Sequence, residues 1–344
     1  MGIIKALKRP TLGLARTLGA FELVGTSSWR NRRLMILCYH GISLDREHEW
    51  RRPLFMTEDE FQGRLEVLAK GSYSVIPLAE GLQGLASGSL PERSVALTFD
   101  DGDYGFYAKA LPLLKEFGFP ATVYLTTYYA DHRVPVFHLI CSYLMWKHQG
   151  PLISAGDLTG GDLTFDTRSQ EGRDAAQTAL VDFAEREGLS VGEKDQLARN
   201  LASILGANAD ELWDSRVLQL MTAQEVREIA AGGIDVELHT HRHRSPRDKE
   251  LYLKELKDNR LSILAKTGRE PVHFCYPSGD YRPEFLPWLE ESGVHSATTC
   301  EPGLAGPSDH HLLLPRLVDH GNLSTLDFEG WVSGFLALLP RVPR

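Results

Sequence analysis

Residues 95–102 read Val95-Ala96-Leu97-Thr98-Phe99-Asp100-Asp101-Gly102: a short, mostly apolar run that stops abruptly at two acids and a glycine. A run this short, bounded by turn residues, reads as a strand buried on both faces. Six other stretches share that form: Leu34–Tyr39, Ala121–Thr126, Ile234–Leu238, His273–Tyr276, Ser296–Thr299 and Leu312–Val318. Amphipathic segments lie between them. Thr57–Lys70 opens on Thr57 with Glu60 three residues on, the pattern of a capping box. Tyr107–Phe117, Thr222–Ala231 and Lys249–Thr267 each stop at a glycine, as helices do. Strands alternating with helices imply a parallel sheet, here a distorted (β/α) barrel of about seven parallel strands.

The spacing is uneven. More than a hundred residues separate the third strand from the fourth, and Arg173–Glu187 and Glu193–Leu205 within them read as helices. The expected organisation is a basic helix and linker over 1–33, a barrel over 34–330 with an inserted helical subdomain at about 130–220, and a tail over 331–344.

The chain of 344 residues is 24% charged and 42% hydrophobic, which excludes a disordered chain, a collagen and a coiled coil. No apolar run is long enough for a spanning helix. A net charge of −9 argues against a general nucleic-acid binder. The charge is uneven: Lys5, Lys8, Arg9, Arg16, Arg30, Arg32 and Arg33 face a single acid, Glu22, within residues 1–33. With Ile3, Ile4, Leu7, Leu12, Leu14 and Leu18 as an apolar stripe, this segment reads either as a helix packed on the barrel or as a peripheral membrane contact. Cys38, Cys141, Cys275 and Cys300 form no C-x-x-C pair and read as free thiols. With no signal-peptide pattern, the expected location is cytoplasmic, with a peripheral position on the inner membrane face as the extension.

Chemistry-bearing residues follow the strands rather than precede them: His40 after the first, Asp100 and Asp101 after the second, His239 to His243 after the fourth, Tyr276-Pro277-Ser278-Gly279 after the fifth, and Arg316 in the seventh. In a parallel barrel the carboxyl ends of the strands form the active-site mouth. Two adjacent carboxylates in a dry pocket repel each other, and a cation that takes one as ligand leaves the other as base. Alone, the pair also suits a helix-capping turn. His239 and His243 stand four apart, so one helical turn would bring both imidazoles to the same side, with His241 pointing away. Alone they also suit a solvated basic loop. With Asp101 they make two histidines and a carboxylate, a catalytic metal set with open positions.

These stretches resemble the NodB-homology polysaccharide deacetylases. Thr98-Phe99-Asp100-Asp101-Gly102 is similar to that family's first motif and His239-Thr240-His241-Arg242-His243 to its second. Phe274 to Gly279 is similar to the third. The opening Tyr39-His40 and Leu314-Pro315-Arg316 resemble members that act on exopolysaccharides. The resemblance implies a hydrolase of non-peptide carbon–nitrogen bonds, removing N-acetyl groups from amino sugars of a polysaccharide or glycolipid precursor. It implies Asp101, His239 and His243 as ligands of a divalent metal, usually Zn2+, and Asp100 as general base. It puts Tyr276, Pro277 and Ser278 at the substrate, with the Ser278 N–H as oxyanion donor. The family's arginine at the position of Cys275 is missing, and Arg316, grouped with the substrate and oxyanion residues, is the expected substitute. The general acid is His40 or His320, with His40 favoured. The expected partners are an amino-sugar glycan or a lipid-linked sugar. A hydrolase of small amides or imides, or a silent glycan-binding barrel, are the competing readings. Trp146, Trp213 and Trp288 are expected to pack in the core rather than stack on sugars.

Overall fold

The computed structural model describes residues 2–339 except 151, 155, 157 and 161–163, with side chains described from residue 10 onward. All seven expected runs form strands of one parallel sheet: β1 Met35–Tyr39, β2 Val95–Phe99, β3 Thr122–Leu125, β4 Asp235–Leu238, β5 His273–Cys275, β6 Ser296–Thr298 and β7 Leu317–Val318. Their order is β6-β5-β4-β3-β2-β1-β7, every pairing parallel. β1 and β2 are buried at every position, which is why they read as unbroken apolar runs rather than alternations.

The sheet curls. Leu314 pairs with Thr298 of β6, while three residues later Leu317 pairs with Leu37 of β1. One irregular segment therefore touches both edges, and this uneven closure is the distortion of the barrel. The Tyr276 hydroxyl supports it by donating to the Leu312 carbonyl at 2.9 Å.

The expected helices form outside the sheet. Glu58–Lys70 carries the full Thr57–Glu60 capping box, and Lys249–Thr267 ends at Gly268 in the left-handed conformation. The helix Leu78–Ser87 was not anticipated. Its two buried glycines weaken the helical signal, and Gly81 lies against Leu34, where a Cβ would meet the leucine at 2.9 Å.

The insertion is helical, with Phe137–Lys147, Gln170–Arg186 and Val191–Ile204 gathered on an apolar core of their own. Phe55, from the loop after β1, belongs to that core and ties the insertion to the barrel mouth.

Residues 2–33 are mainly helical. Arg30 is fully buried and donates to the carbonyls of Val332, Arg33 and Ser94, clamping this segment to the barrel. The expected stripe divides. Leu12 is buried, whereas Leu14 and Leu18 are 59% and 75% exposed; beyond the stripe, Phe21 is buried and Leu23 is 75% exposed. The side chains of Ile3, Ile4, Leu7, Lys5, Lys8 and Arg9 lie outside the described residues. The boundary expected at 330 falls inside the helix Thr325–Val332, and residues 340–344 of the tail lie outside the described residues.

Candidate active site

The mouth has a closed floor and an open rim. At the floor, Asp100 follows β2 and is buried. Arg316 lies just before β7, is fully buried, and holds Asp100 with both guanidinium nitrogens: Nη1 to Oδ1 at 2.8 Å and Nη2 to Oδ2 at 2.8 Å. The same guanidinium donates to the Thr299 carbonyl at 3.0 Å and the Thr98 hydroxyl at 3.2 Å, so its plane is fixed. The thiols of Cys38 and Cys275 each lie 3.4 Å from Asp100 Oδ2. Burial alone would raise the Asp100 pKa. The Arg316 guanidinium, by charge and hydrogen bonds, and then His239 and His40 together outweigh it and hold the carboxyl well below the usual range.

Arg316 thus reaches Asp100 from the segment before β7, at the side of Cys275. A small thiol at that position leaves room for Arg316 Nη2, which approaches the Cys275 sulfur to 3.0 Å.

The rim is built from Asp101, His239 and His243. Asp101 Oδ1 stands 3.2 Å from His239 Nε2 and 3.3 Å from His243 Nε2. Asp101 Oδ1 is inaccessible to solvent and forms no oriented hydrogen bond among the described residues. Bonds of about 2.0–2.2 Å at tetrahedral angles set ligand atoms about 3.3–3.5 Å apart. The three donors therefore have the spacing of a face around one cation, and the orphaned carboxylate oxygen fits the same reading. Burial would raise the Asp101 pKa, but the flanking imidazoles, His243 first, pull it well below the usual range.

The histidines reach one side without a helix. Residues 239–243 form a loop in which Thr240 and His243 take positive φ angles of 60° and 55°. Asp101 and Ser278 are also left-handed, at φ 70° and 56°. Side chains rarely adopt this conformation without support, and here it recurs around one mouth. The support comes from Asn259, fully buried in the helix Lys249–Thr267. Its Oδ1 accepts from the His239 N–H at 2.9 Å, and its Nδ2 donates to the Leu125 carbonyl and the Thr127 hydroxyl. His239 Nδ1 lies 2.9 Å from the Cys275 carbonyl, so that nitrogen donates to the backbone and Nε2 is the one turned towards Asp101. His241 turns away, as expected, and pairs with the Thr127 hydroxyl at 2.8 Å.

His40 is partly exposed, with Nε2 3.9 Å from Asp100 Oδ2. His320 points its Nδ1 at the backbone N–H of Asn322 and makes no ion pair with either aspartate among the described residues. Ser278 is exposed on the turn after β5. Two expectations need correction. Tyr276 and Arg316 are both fully buried, so neither presents a surface to substrate: the phenol holds the closing strand and the guanidinium holds Asp100. Pro277 is likewise buried. Sequence reading passed over Asn259, which stands in mid-helix twenty positions from the histidine it orients.

Fold and mouth together show a barrel with an arginine-held carboxylate and a two-histidine, one-aspartate donor set at the carboxyl ends of its strands. A model of the polysaccharide deacetylase family matches residues 87–154 and 195–297, a span that contains Asp100, Asp101, His239 and His243. The chain belongs to the polysaccharide deacetylase family, hydrolases of non-peptide carbon–nitrogen bonds. It is 22% identical over 302 residues to YxkH of Bacillus subtilis (strain 168), which bears a polysaccharide deacetylase name, covering 85% of this chain and 75% of that one. A shorter match, 35% identical over 72 residues, links it to a poly-beta-1,6-N-acetyl-D-glucosamine N-deacetylase of Staphylococcus epidermidis, covering 21% of this chain and 25% of the relative. Among solved structures, the Streptococcus pyogenes deacetylase PplD superposes with a TM-score of 0.57 at 19% identity, covering 87% of this chain and 98% of that one. IcaB from Ammonifex degensii gives 0.56 at 17% identity, covering 88% and 97%. At these identities the two structures speak for the fold.

Proposed function

We propose that this protein removes N-acetyl groups from amino sugars of a polysaccharide or a glycolipid precursor, in a metal-dependent reaction. The observation that carries this reading is the contrast between the two aspartates: Asp100 is saturated by Arg316, while Asp101 Oδ1 faces two imidazoles with no oriented hydrogen bond. Asp101, His239 and His243 would hold the cation, with zinc the favoured choice for this donor set. When bound, such an ion supplies Lewis acidity that polarises an acyl oxygen and acidifies water.

The remaining work falls to the chain. Asp100, kept ionised by Arg316, accepts the proton of the attacking water. His40, with Nε2 3.9 Å from that carboxylate, gives a proton to the departing amine. The exposed turn at Ser278 offers its backbone N–H to the oxygen that gains charge. An amide needs all three contributions, because its carbonyl is a poor electrophile and its nitrogen a poor leaving group.

The test is acetate release by metal-loaded protein from N-acetylglucosamine oligomers, nucleotide sugars and lipid-linked amino sugars. Release that disappears on chelation and returns with Zn2+ is expected. Release indifferent to chelation removes the metal from the proposal.

We also propose that residues 1–33 contact an anionic membrane surface, at the cytoplasmic face where lipid-linked sugars would be met. Leu14, Leu18 and Leu23 support this by being exposed on a segment rich in Lys and Arg. Co-sedimentation with phosphatidylglycerol vesicles at low salt, lost in Leu14→Ser/Leu18→Ser, is the expected result. No binding at low salt overturns it.

A further inference from the structure

An open groove of about 560 Å3 lies beside the mouth, between the loop after His40 and the helical insertion. The loop contributes Trp50 and Arg51, and the insertion contributes Trp146, Gln149, Gln170 and Arg173. Gln170 and Arg173 fall in the stretch that the family model leaves unmatched, so part of this groove is particular to this chain.

The lining holds two guanidinium groups and no carboxylate. They are not equivalent. Arg173 is occupied, donating to the carbonyls of Thr167 and Arg168 and to Gln170 Oε1. The Arg51 guanidinium lies over the Trp50 ring at 4.5 Å and has no hydrogen bond or ion pair among the described residues. Asp174 is the acid that acts on it, and one of that acid's oxygens already accepts from Gln170 Nε2 at 2.7 Å. A partly buried cation with a nearby acid but no paired carboxylate is a group that an incoming anion completes.

The aromatic faces complement it. Tyr143 braces both indoles, edge-on to Trp50 at 5.3 Å and stacked with Trp146 at 5.7 Å, which leaves them rigid and half-buried. Half-buried indoles flanked by amides and guanidinium groups, Arg46 over the Trp146 ring at 5.3 Å among them, suit a pyranose ring, apolar on its C–H face and polar at its edge. The groove also leads to the mouth. The Leu54 carbonyl in its wall accepts from the Gly41 N–H, next to His40, at 3.1 Å. The charges of Arg51 in the groove and of His243 and Asp101 at the mouth all act on His138.

We propose that the groove binds a sugar unit bearing an acidic group, a carboxylate or a phosphate, along the chain from the N-acetyl sugar at the mouth. Arg51 takes the acidic group, and Trp50 and Trp146 take the ring. The proposal rests on the deacetylase reading for the identity of the chain, but its test does not require turnover.

Calorimetric titration of the full chain decides it. The probes are an N-acetylglucosamine tetramer, a tetrasaccharide alternating N-acetylglucosamine with glucuronate, and an N-acetylglucosamine tetramer with a terminal phosphate. At least one acidic probe should bind about tenfold more tightly than the neutral tetramer. Its identity distinguishes carboxylate from phosphate. Arg51→Gln, with an unchanged melting temperature, should bring that probe down to the neutral chain's affinity. Arg51→Lys should retain part of the preference, and Trp146→Ala should weaken every probe. Equal affinity for neutral and acidic chains, or a preference that survives Arg51→Gln, overturns the proposal. Arg51-dependent binding with no acetate released from any chain sinks the deacetylase reading and leaves the groove standing. Acetate release indifferent to acidic groups and to Arg51→Gln does the reverse.

Discussion

The floor and the rim of the mouth start from neighbouring aspartates and end in opposite states. Asp100 points into a cage where both oxygens meet a fixed guanidinium. Asp101, one residue on and left-handed at φ 70°, turns its carboxylate to two imidazoles that do not satisfy it. The difference lets one acid pair fill the two roles proposed above. A carboxylate paired on both oxygens is held in place and stays ionised, whereas one set between two imidazoles has the donor spacing the proposed cation site needs. The left-handed turn at Asp101 separates the two directions. It costs backbone strain, and the surrounding hydrogen bonds maintain it.

The largest expected effect comes from removing the floor's charge. Asp100→Asn keeps the shape and the Arg316 contact to one oxygen, yet abolishes the base, and should lower the rate of acetate release by about 10²–10⁴. Exchanging the two candidate acids comes next. His40→Asn should approach that loss, while His320→Asn should leave most of the activity, since His320 faces the Asn322 backbone. Equal losses in steady-state assays of the two variants would erase the distinction drawn between them.

Arg316→Ala should lower activity by about 10–100-fold and move its pH dependence. The sign follows from the balance at Asp100. Burial raises its pKa, and Arg316 leads the groups, His239 and His40 among them, that together bring it below the usual range. Without the guanidinium, the carboxylate protonates at a higher pH, so the acid limb of kcat/KM shifts upwards. An unmoved limb would show that Arg316 does not govern Asp100. The smallest effect belongs to the support of the rim. Asn259→Ala leaves every donor in place but frees the His239 backbone and Thr127, and should weaken Zn2+ binding by about 10–100-fold in a chelator competition.

Much of this contrast was legible in the sequence, for a physical reason. Strands buried on both faces must be apolar throughout, so Val95–Phe99 and Met35–Tyr39 announce themselves and the polar residues after them mark the mouth. The partner of Asp100 was legible only as a substitute for an arginine missing at Cys275, because contact between residues 100 and 316 depends on how the sheet closes. The His239–His243 spacing suggested a helical turn, yet the chain uses a loop with two left-handed residues, whose cost is borne by long-range contacts no local pattern reveals. Asn259 and the groove were unreadable for the same reason. Trp146 illustrates it: as a half-apolar helix residue it reads as core, and only the approach of Trp50 and Arg51 from a distant loop makes its face part of a groove.

The division of labour between the aspartates is tested most directly by measuring bound zinc and acetate release together on the native chain, Asp100→Asn and Asp101→Asn. The expected result is that Asp100→Asn keeps its zinc and loses acetate release, while Asp101→Asn loses its zinc. Full acetate release by Asp100→Asn, or zinc held at native affinity by Asp101→Asn, would contradict it.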